Sequence, residues 1–281
     1  MEFRTKLTTD IHDVDHNGVV RMSSLMKYIQ SAAQTQLTLN GKSYEQLRDM
    51  KRAFILSRIK IEFTEPIRAY ESVTAVTYPC DSRGYSFLRC YALEKNGRTI
   101  GRAVSMWALI DTETRALVKV NDFELGLDTH EPHSLELTRF SMPAAIREVG
   151  TYTVNYGDLD QNCHMNNTRY PDMYSNFLPL DGKRIRSISI NYKNEAPRGE
   201  KLRVERADGI DGYTYYMRTV REDGLVNTEA EILLEEIYLS LKKQSEIGIC
   251  SFFSLFFVLY ILLFLLTRRH FPIKSAIFCY F

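Results

Sequence analysis

The sequence predicts an α+β fold of two similar halves, each a long helix wrapped by an antiparallel sheet. Three observations predict it. A short motif occurs twice, Asp13-Val14-Asp15-His16-Asn17 returning as Asp158-Leu159-Asp160-Gln161-Asn162. Each copy follows a short alternating segment and precedes a stretch with helical spacing. Each helical stretch then leads into four segments with the period-two alternation of strands. A helix with one apolar face must bury it, and a twisted sheet folded around it does so.

The elements follow in order. Phe3 to Ile11 alternates as a strand, and Met22 to Leu39 sets Leu25, Met26, Ile29, Ala32, Ala33 and Leu37 near one helix face. Strands are predicted at Arg58 to Phe63, Ser72 to Tyr78, Tyr85 to Glu94 and Thr99 to Ile110, with a turn at Lys95-Asn96-Gly97-Arg98. Residues 112–149 carry little periodicity and read as a linker that crosses the surface and covers part of a binding site. The second half repeats the scheme. Thr151 to Tyr156 alternates, and Asn166 to Leu178 sets Tyr170, Met173, Tyr174 and Phe177 on one helix face. Strands follow at Arg186 to Tyr192, Lys201 to Ala207, Tyr213 to Arg221 and Leu225 to Glu236. The expected domains are therefore 1–111 and 150–240, joined by 112–149 and followed by a tail, 241–281.

Composition narrows the function. With 44% hydrophobic and 25% charged residues the chain is neither a disordered polymer nor a small disulfide scaffold. Its 36 Lys+Arg against 35 Asp+Glu argue against capture of nucleic acid, which needs a basic domain or stripe. Five irregularly spaced cysteines form no CxxC pair, so free thiols in a reducing compartment are expected. The N-terminus shows no apolar signal region, and a cytoplasmic protein is expected. No phosphate loop, dinucleotide fingerprint or metal-ligand cluster is present, so no cofactor and no metal are expected. His12 and His16 read as residues of an exposed turn.

The two halves differ where chemistry is densest. The second motif continues as Cys163-His164-Met165-Asn166-Asn167, whereas Val19 stands in the place of His164 and Met22 in that of Asn167. Backbone N–H groups at a helix start have no partners, and the dipole there favours negative charge. Such a start stabilises the oxyanion formed when a thioester carbonyl is attacked. Asn162 and His164, two apart, can reach one site from an extended loop, and an imidazole moves protons near neutral pH. The alternative is that these Asp and Asn side chains only make turn and cap hydrogen bonds. That reading is preferred for Asp15 and Asn17 and stays open for the second copy. On an extended loop Cys163 points away from its neighbours and reads as a packing thiol.

The run Tyr156 to Pro179, with Asp160, Asn162, His164, Asn166, Asn167 and Tyr170 in an Asp-x-Asn-x-His-x-Asn-Asn pattern, resembles the acyl-acyl carrier protein (acyl-ACP) thioesterases. The resemblance spans roughly residues 1–240 and includes Trp107. It implies two tandem hotdog domains, with the motif opening the helix of the second. It also implies a catalytic Glu, matched by Glu195, on the strand after that helix. The family's neighbouring cysteine is Ala196 here, which excludes a cysteine nucleophile at that position. The implied reaction is hydrolysis of a fatty acyl thioester on acyl carrier protein. Glu195 is the general base, or a nucleophile through an acyl-carboxylate intermediate. Asn162 and His164 position water and carbonyl, Asp160 orients Asn162, and the helix start near Met165–Asn167 holds the oxyanion. The first domain is expected to supply the acyl pocket, with Leu25, Met26, Ile29, Phe54 and Trp107 as lining or core. Lys183-Arg184-Ile185-Arg186 and Arg58/Lys60 are candidate docking patches for the acidic carrier. Alternatives are an acyl-CoA thioesterase, a non-catalytic acyl-thioester-binding protein, or a hotdog hydratase. A homodimer is left open.

The tail stands apart. Residues 247–266 carry no charge, and without residues 247–281 the body holds 33 basic against 35 acidic residues. At about 1.5 Å per residue the apolar run spans about 30 Å, enough for one transmembrane helix. Two readings are open: a C-terminal anchor making membrane contact, or a frameshifted or read-through translation rich in Phe, Leu, Ile, Ser and Tyr.

Overall fold

The computed structural model describes residues 2–237, and the expected transmembrane segment at 247–266 lies outside them. Among the described residues no helix is long and apolar enough to cross a membrane. In chain order the elements are β1 (Phe3–Thr8), α1 (Met22–Leu39), α2 (Tyr44–Asp49), β2 (Arg52–Phe63), β3 (Ser72–Pro79), β4 (Ser86–Lys95), β5 (Arg98–Asp111) and β6 (Leu117–Val118). Then come β7 (Arg147–Thr153), α3 (Tyr170–Ser175), β8 (Lys183–Tyr192), β9 (Lys201–Asp208), β10 (Thr214–Val220) and β11 (Val226–Glu236).

The strands form one antiparallel sheet in the order β1-β3-β4-β5-β2-β8-β11-β10-β9-β7, with β6 beside β5. That order is a palindrome of the two halves. The halves meet at β2 and β8, where Ile59 faces Ile190 and Ile61 faces Ile188. All four are completely buried. At about 1.5–3 kcal/mol for each such side chain, this seam is a strong reason for the halves to stay together.

Helix α1 lays Leu25, Met26, Ile29, Ala32 and Ala33 into the core as its spacing predicts, while Leu37 is half-buried and Gln36 buried instead. This helix-wrapped, internally repeated sheet is consistent with the hotdog architecture. The second helix is a correction. In place of Asn166 to Leu178 the chain makes a 3-10 turn at Asn167–Arg169 and then six α-helical residues, Tyr170–Ser175. Pro179 explains the early end, because the residue before a proline is pushed out of helical conformation. Phe177 and Leu178 therefore pack on the core from beyond the helix.

The connector between β5 and β7 runs over β4 and β5. His133 Nε2 lies 3.1 Å from the Tyr91 carbonyl and 2.9 Å from that of Ala103. Leu135 and Leu137 pack on Cys80, Cys90 and Val104.

Candidate active site

The two motif copies fold into the same loop, held by matching backbone hydrogen bonds. Asp15 N donates to Val19 O at 2.8 Å, and Asp160 N to His164 O at 2.9 Å. Asn17 N and Asn162 N each donate to the aspartate two residues earlier, at 2.9 and 2.8 Å. Val20 N reaches Ile67 O and Met165 N reaches Ala196 O, at 2.8 and 2.9 Å. The left-handed position is Gly18 in one loop, at φ 70°, and Cys163 in the other, at φ 64°.

This equivalence places Val19 where His164 stands and Pro66 where Glu195 stands. The first loop lacks both groups, and the second brings them together, with His164 Nε2 3.1 Å from Glu195 Oε2. Their side chains are 31% and 45% exposed, so water reaches both.

Glu195 lies past the end of β8 rather than on the strand. The chain leaves the ladder because Lys193 N and Asn194 N both donate to Asn227 O, at 2.9 and 3.1 Å. The buried Asn227 side chain donates to Tyr170 Oη at 3.1 Å and accepts from Thr219 Oγ1 at 2.8 Å. Arg221 Nη1 donates to the Glu195 carbonyl at 3.2 Å. Asn227 and Arg221 thus fix the backbone that presents the carboxylate.

The loop bearing His164 is a turn, not the extended segment expected. Cys163 N donates to Asp160 O at 3.1 Å, and the left-handed Cys163 exposes its thiol instead of packing it. Asp160 holds the turn by accepting from Asn162 N, while Asn162 Oδ1 accepts from Tyr44 Oη at 3.1 Å. Of the N–H groups expected at the oxyanion site, Met165–Asn167, two are already taken. Met165 N is taken by Ala196 O and Asn166 N by Asp158 O, at 2.9 and 2.8 Å, and the Asn166 side chain caps Thr168 N.

A cavity of about 1000 Å³ runs between α1 and β4 and ends against Asp160, Asn162, Asn166 and Asn167. Phe54 and Trp107 line it as expected, together with Ala33, Leu37, Phe87, Tyr91 and Phe123. Met26 and Ile29 are core, and Leu25 faces a different cleft. His164 and Glu195 stand beyond its end rather than in its wall.

Of the two basic clusters proposed as carrier docking sites, Lys183 to Arg186 is paired with acids. Arg184 is buried against Glu235, Arg186 lies 3.5 Å from Glu62, and Lys183 lies 3.7 Å from Glu236. Lys60 donates to Thr138 Oγ1 at 3.3 Å. Arg48 and Arg83, missed in the sequence, are the exposed cations that line the cavity. Tyr44 was missed as well, although Ser43 and Gln46 spell the capping box that starts its helix. Nothing local marks Asn227, whose contacts are all made through the fold.

A sheet of two wrapped halves thus holds a long cavity that reaches the motif loop, and the same loop sets His164 against Glu195. The comparisons give the family. The acyl-ACP thioesterase N-terminal domain matches residues 1–125 and the acyl-ACP thioesterase C-terminal domain matches residues 143–236. The chain belongs to the acyl-ACP thioesterase family. It is 22% identical to oleoyl-acyl carrier protein thioesterase 2, chloroplastic, of Arabidopsis thaliana over 69% of this chain and 59% of that protein. The coriander (Coriandrum sativum) oleoyl-acyl carrier protein thioesterase is 21% identical over 80% of this chain and 67% of its own length. The chain thus spans about three fifths of the Arabidopsis relative. Among solved structures, an acyl-ACP thioesterase from Bacteroides thetaiotaomicron superposes with a TM-score of 0.76 at 24% identity, covering 83% of this chain and 98% of that one. The 12:0-ACP thioesterase from Umbellularia californica gives 0.72 at 15% identity, covering 84% and 98%.

Proposed function

We propose that this chain hydrolyses fatty acyl thioesters of acyl carrier protein, releasing the free acid and ending chain elongation. Beside family membership, the observation that carries this reading is the His164–Glu195 pair at 3.1 Å, on the one motif copy that keeps both groups. Residues 1–111 and 150–240 act as two hotdog domains, the first holding the acyl chain in the cavity and the second cleaving the ester.

The thioester carbonyl lies where the cavity ends, between Asn162 and the His164–Glu195 pair. Glu195 takes a proton from water as its oxygen attacks the carbonyl carbon, or attacks directly to form an acyl-carboxylate that water then opens. His164 holds the carboxylate and the water in line. With Met165 N and Asn166 N occupied, the Asn162 side chain serves as an oxyanion donor. Tyr44 ties down its Oδ1 and leaves both hydrogens of Nδ2 to the substrate. Collapse of the tetrahedral intermediate breaks the C–S bond, and the departing thiolate of the carrier takes up the proton given by the water, by way of Glu195. The exposed Arg48 and Arg83 favour approach of an acidic carrier.

The test is thiol release by the full chain from carrier-protein and coenzyme A esters of equal length. Faster release from the carrier-protein ester is expected. Preference for coenzyme A would reassign the carrier, and release from neither would end the proposal.

A further inference from the structure

One cation inside the cavity, Arg89, forms no ion pair with a carboxylate among the described residues. Residues Phe87, Arg89 and Tyr91 of β4 alternate toward α1, while Cys90 packs outward under Leu135 and Leu137. Arg89 is only 6% exposed, yet it lines the cavity. One terminal nitrogen donates to Gln36 Oε1 at 2.6 Å and to Thr77 Oγ1 at 3.1 Å. Its second terminal nitrogen and Nε find no protein acceptor among the described residues. The groups that bear on its charge are Tyr91 and Cys80, and neither is a carboxylate. Burial alone disfavours the charged form, but a guanidinium stays protonated in proteins.

An alkyl chain laid against this group would strip its remaining water and offer nothing in return, leaving a buried cation with unmet donors. Holding α1 to the sheet does not call for a charge, since a neutral amide bridges Gln36 and Thr77 equally well. We infer that the acyl chain taken by this cavity bears a hydrogen-bond-accepting oxygen, a hydroxyl, keto or carboxyl group, which is received by Arg89. Arg89 is then a specificity-determining residue. The inference rests on the thioesterase reading, because it assigns the chain of that substrate.

The experiment uses the full chain and carrier-protein esters of one chain length: unsubstituted, hydroxylated at successive positions along the distal half, and ω-carboxylated. The wild type is expected to favour one oxygenated ester by at least about tenfold in kcat/KM, as a hydrogen bond to a charged group provides. Arg89→Met should erase that preference, read as the ratio of kcat/KM for the oxygenated ester to that for the plain one. The hydroxylated and carboxylated arms show which oxygen is meant. A wild type with no preference for any oxygenated ester overturns the inference, and so does a preference that survives in Arg89→Met. The wild-type arm stands even if the variant does not fold. If no ester of any kind is cleaved, the thioesterase reading fails separately. Calorimetric binding of the free hydroxylated and plain acids then decides for Arg89, with equal affinities overturning it.

Discussion

The phenol of Tyr44, in the first half of the chain, donates to Oδ1 of Asn162 in the second, at 3.1 Å. A short helix that contributes no catalytic group therefore sets the orientation of an amide beside the reaction centre. An unrestrained amide would present oxygen or nitrogen to the substrate, and only the nitrogen can donate to an oxyanion.

Tyr44→Phe removes this constraint and nothing else. Turnover is expected to fall roughly 3- to 10-fold, the scale of one ordinary hydrogen bond, with an unchanged melting temperature. Steady-state kinetics beside a thermal melt check it. A loss of stability without a loss of kcat would show that Tyr44 only braces the loop.

Glu195→Gln and His164→Ala should each lower kcat by about 10²–10⁴, as the loss of a general base commonly does. Because the two groups act as a unit, the double variant should be hardly slower than the worse single one. Single-turnover thiol release measures all three. Independent, multiplying effects would separate the residues into different steps.

Cys163 occupies a left-handed position that its counterpart Gly18 fills without strain. Cys163→Gly is expected to stabilise the protein by up to about 1 kcal/mol in denaturant titration, since glycine adopts that conformation freely. Cleavage should continue, because the thiol is exposed and stands outside the His164–Glu195 contact. Abolished turnover would make Cys163 a candidate nucleophile.

Acid should weaken the turn that closes β5. Backbone N–H groups of Thr114 and Glu113, together with Arg52, hold the Asp111 carboxyl below its ordinary value. A depressed folded value means that the carboxylate's contribution is present above the unfolded value, near 4, and is lost as pH falls through the lower folded one. Asp111→Ala should therefore be less stable than wild type at neutral pH, and the two should converge under strong acid. Denaturant midpoints across the pH range test this, and a pH-independent gap would refute it.

Much of this was legible in the sequence, for identifiable reasons. Period-two alternation located the strands, and the Asp-x-Asn repeat marked the two loops. Charge and hydrophobic pattern say which face of an element is buried, but not which strand is its neighbour. The palindromic strand order and the β2–β8 seam were therefore unreadable. Helical spacing at Asn166 to Leu178 overran the true helix because Tyr170, Met173 and Tyr174 are buried as predicted while Pro179 cuts the run short. The His164 to Glu195 contact was implied only by resemblance. Its backbone supports, Asn227 and Arg221, act across the fold and leave no local pattern. The oxyanion assignment was narrowed for a different reason: two N–H groups of an apparently free helix start had already gone to Ala196 and Asp158.

The seam of Ile59, Ile61, Ile188 and Ile190 carries a kinetic consequence. Cavity and His–Glu pair are assembled from opposite sides of it, yet both sides belong to one polypeptide. Two separate subunits would meet at a rate set by their abundance and would drift apart on dilution. Here the encounter is intramolecular, so one molecule suffices to complete the site at any concentration. The first motif copy, which lacks the His–Glu pair, is then free to vary with the ligand that its half embraces.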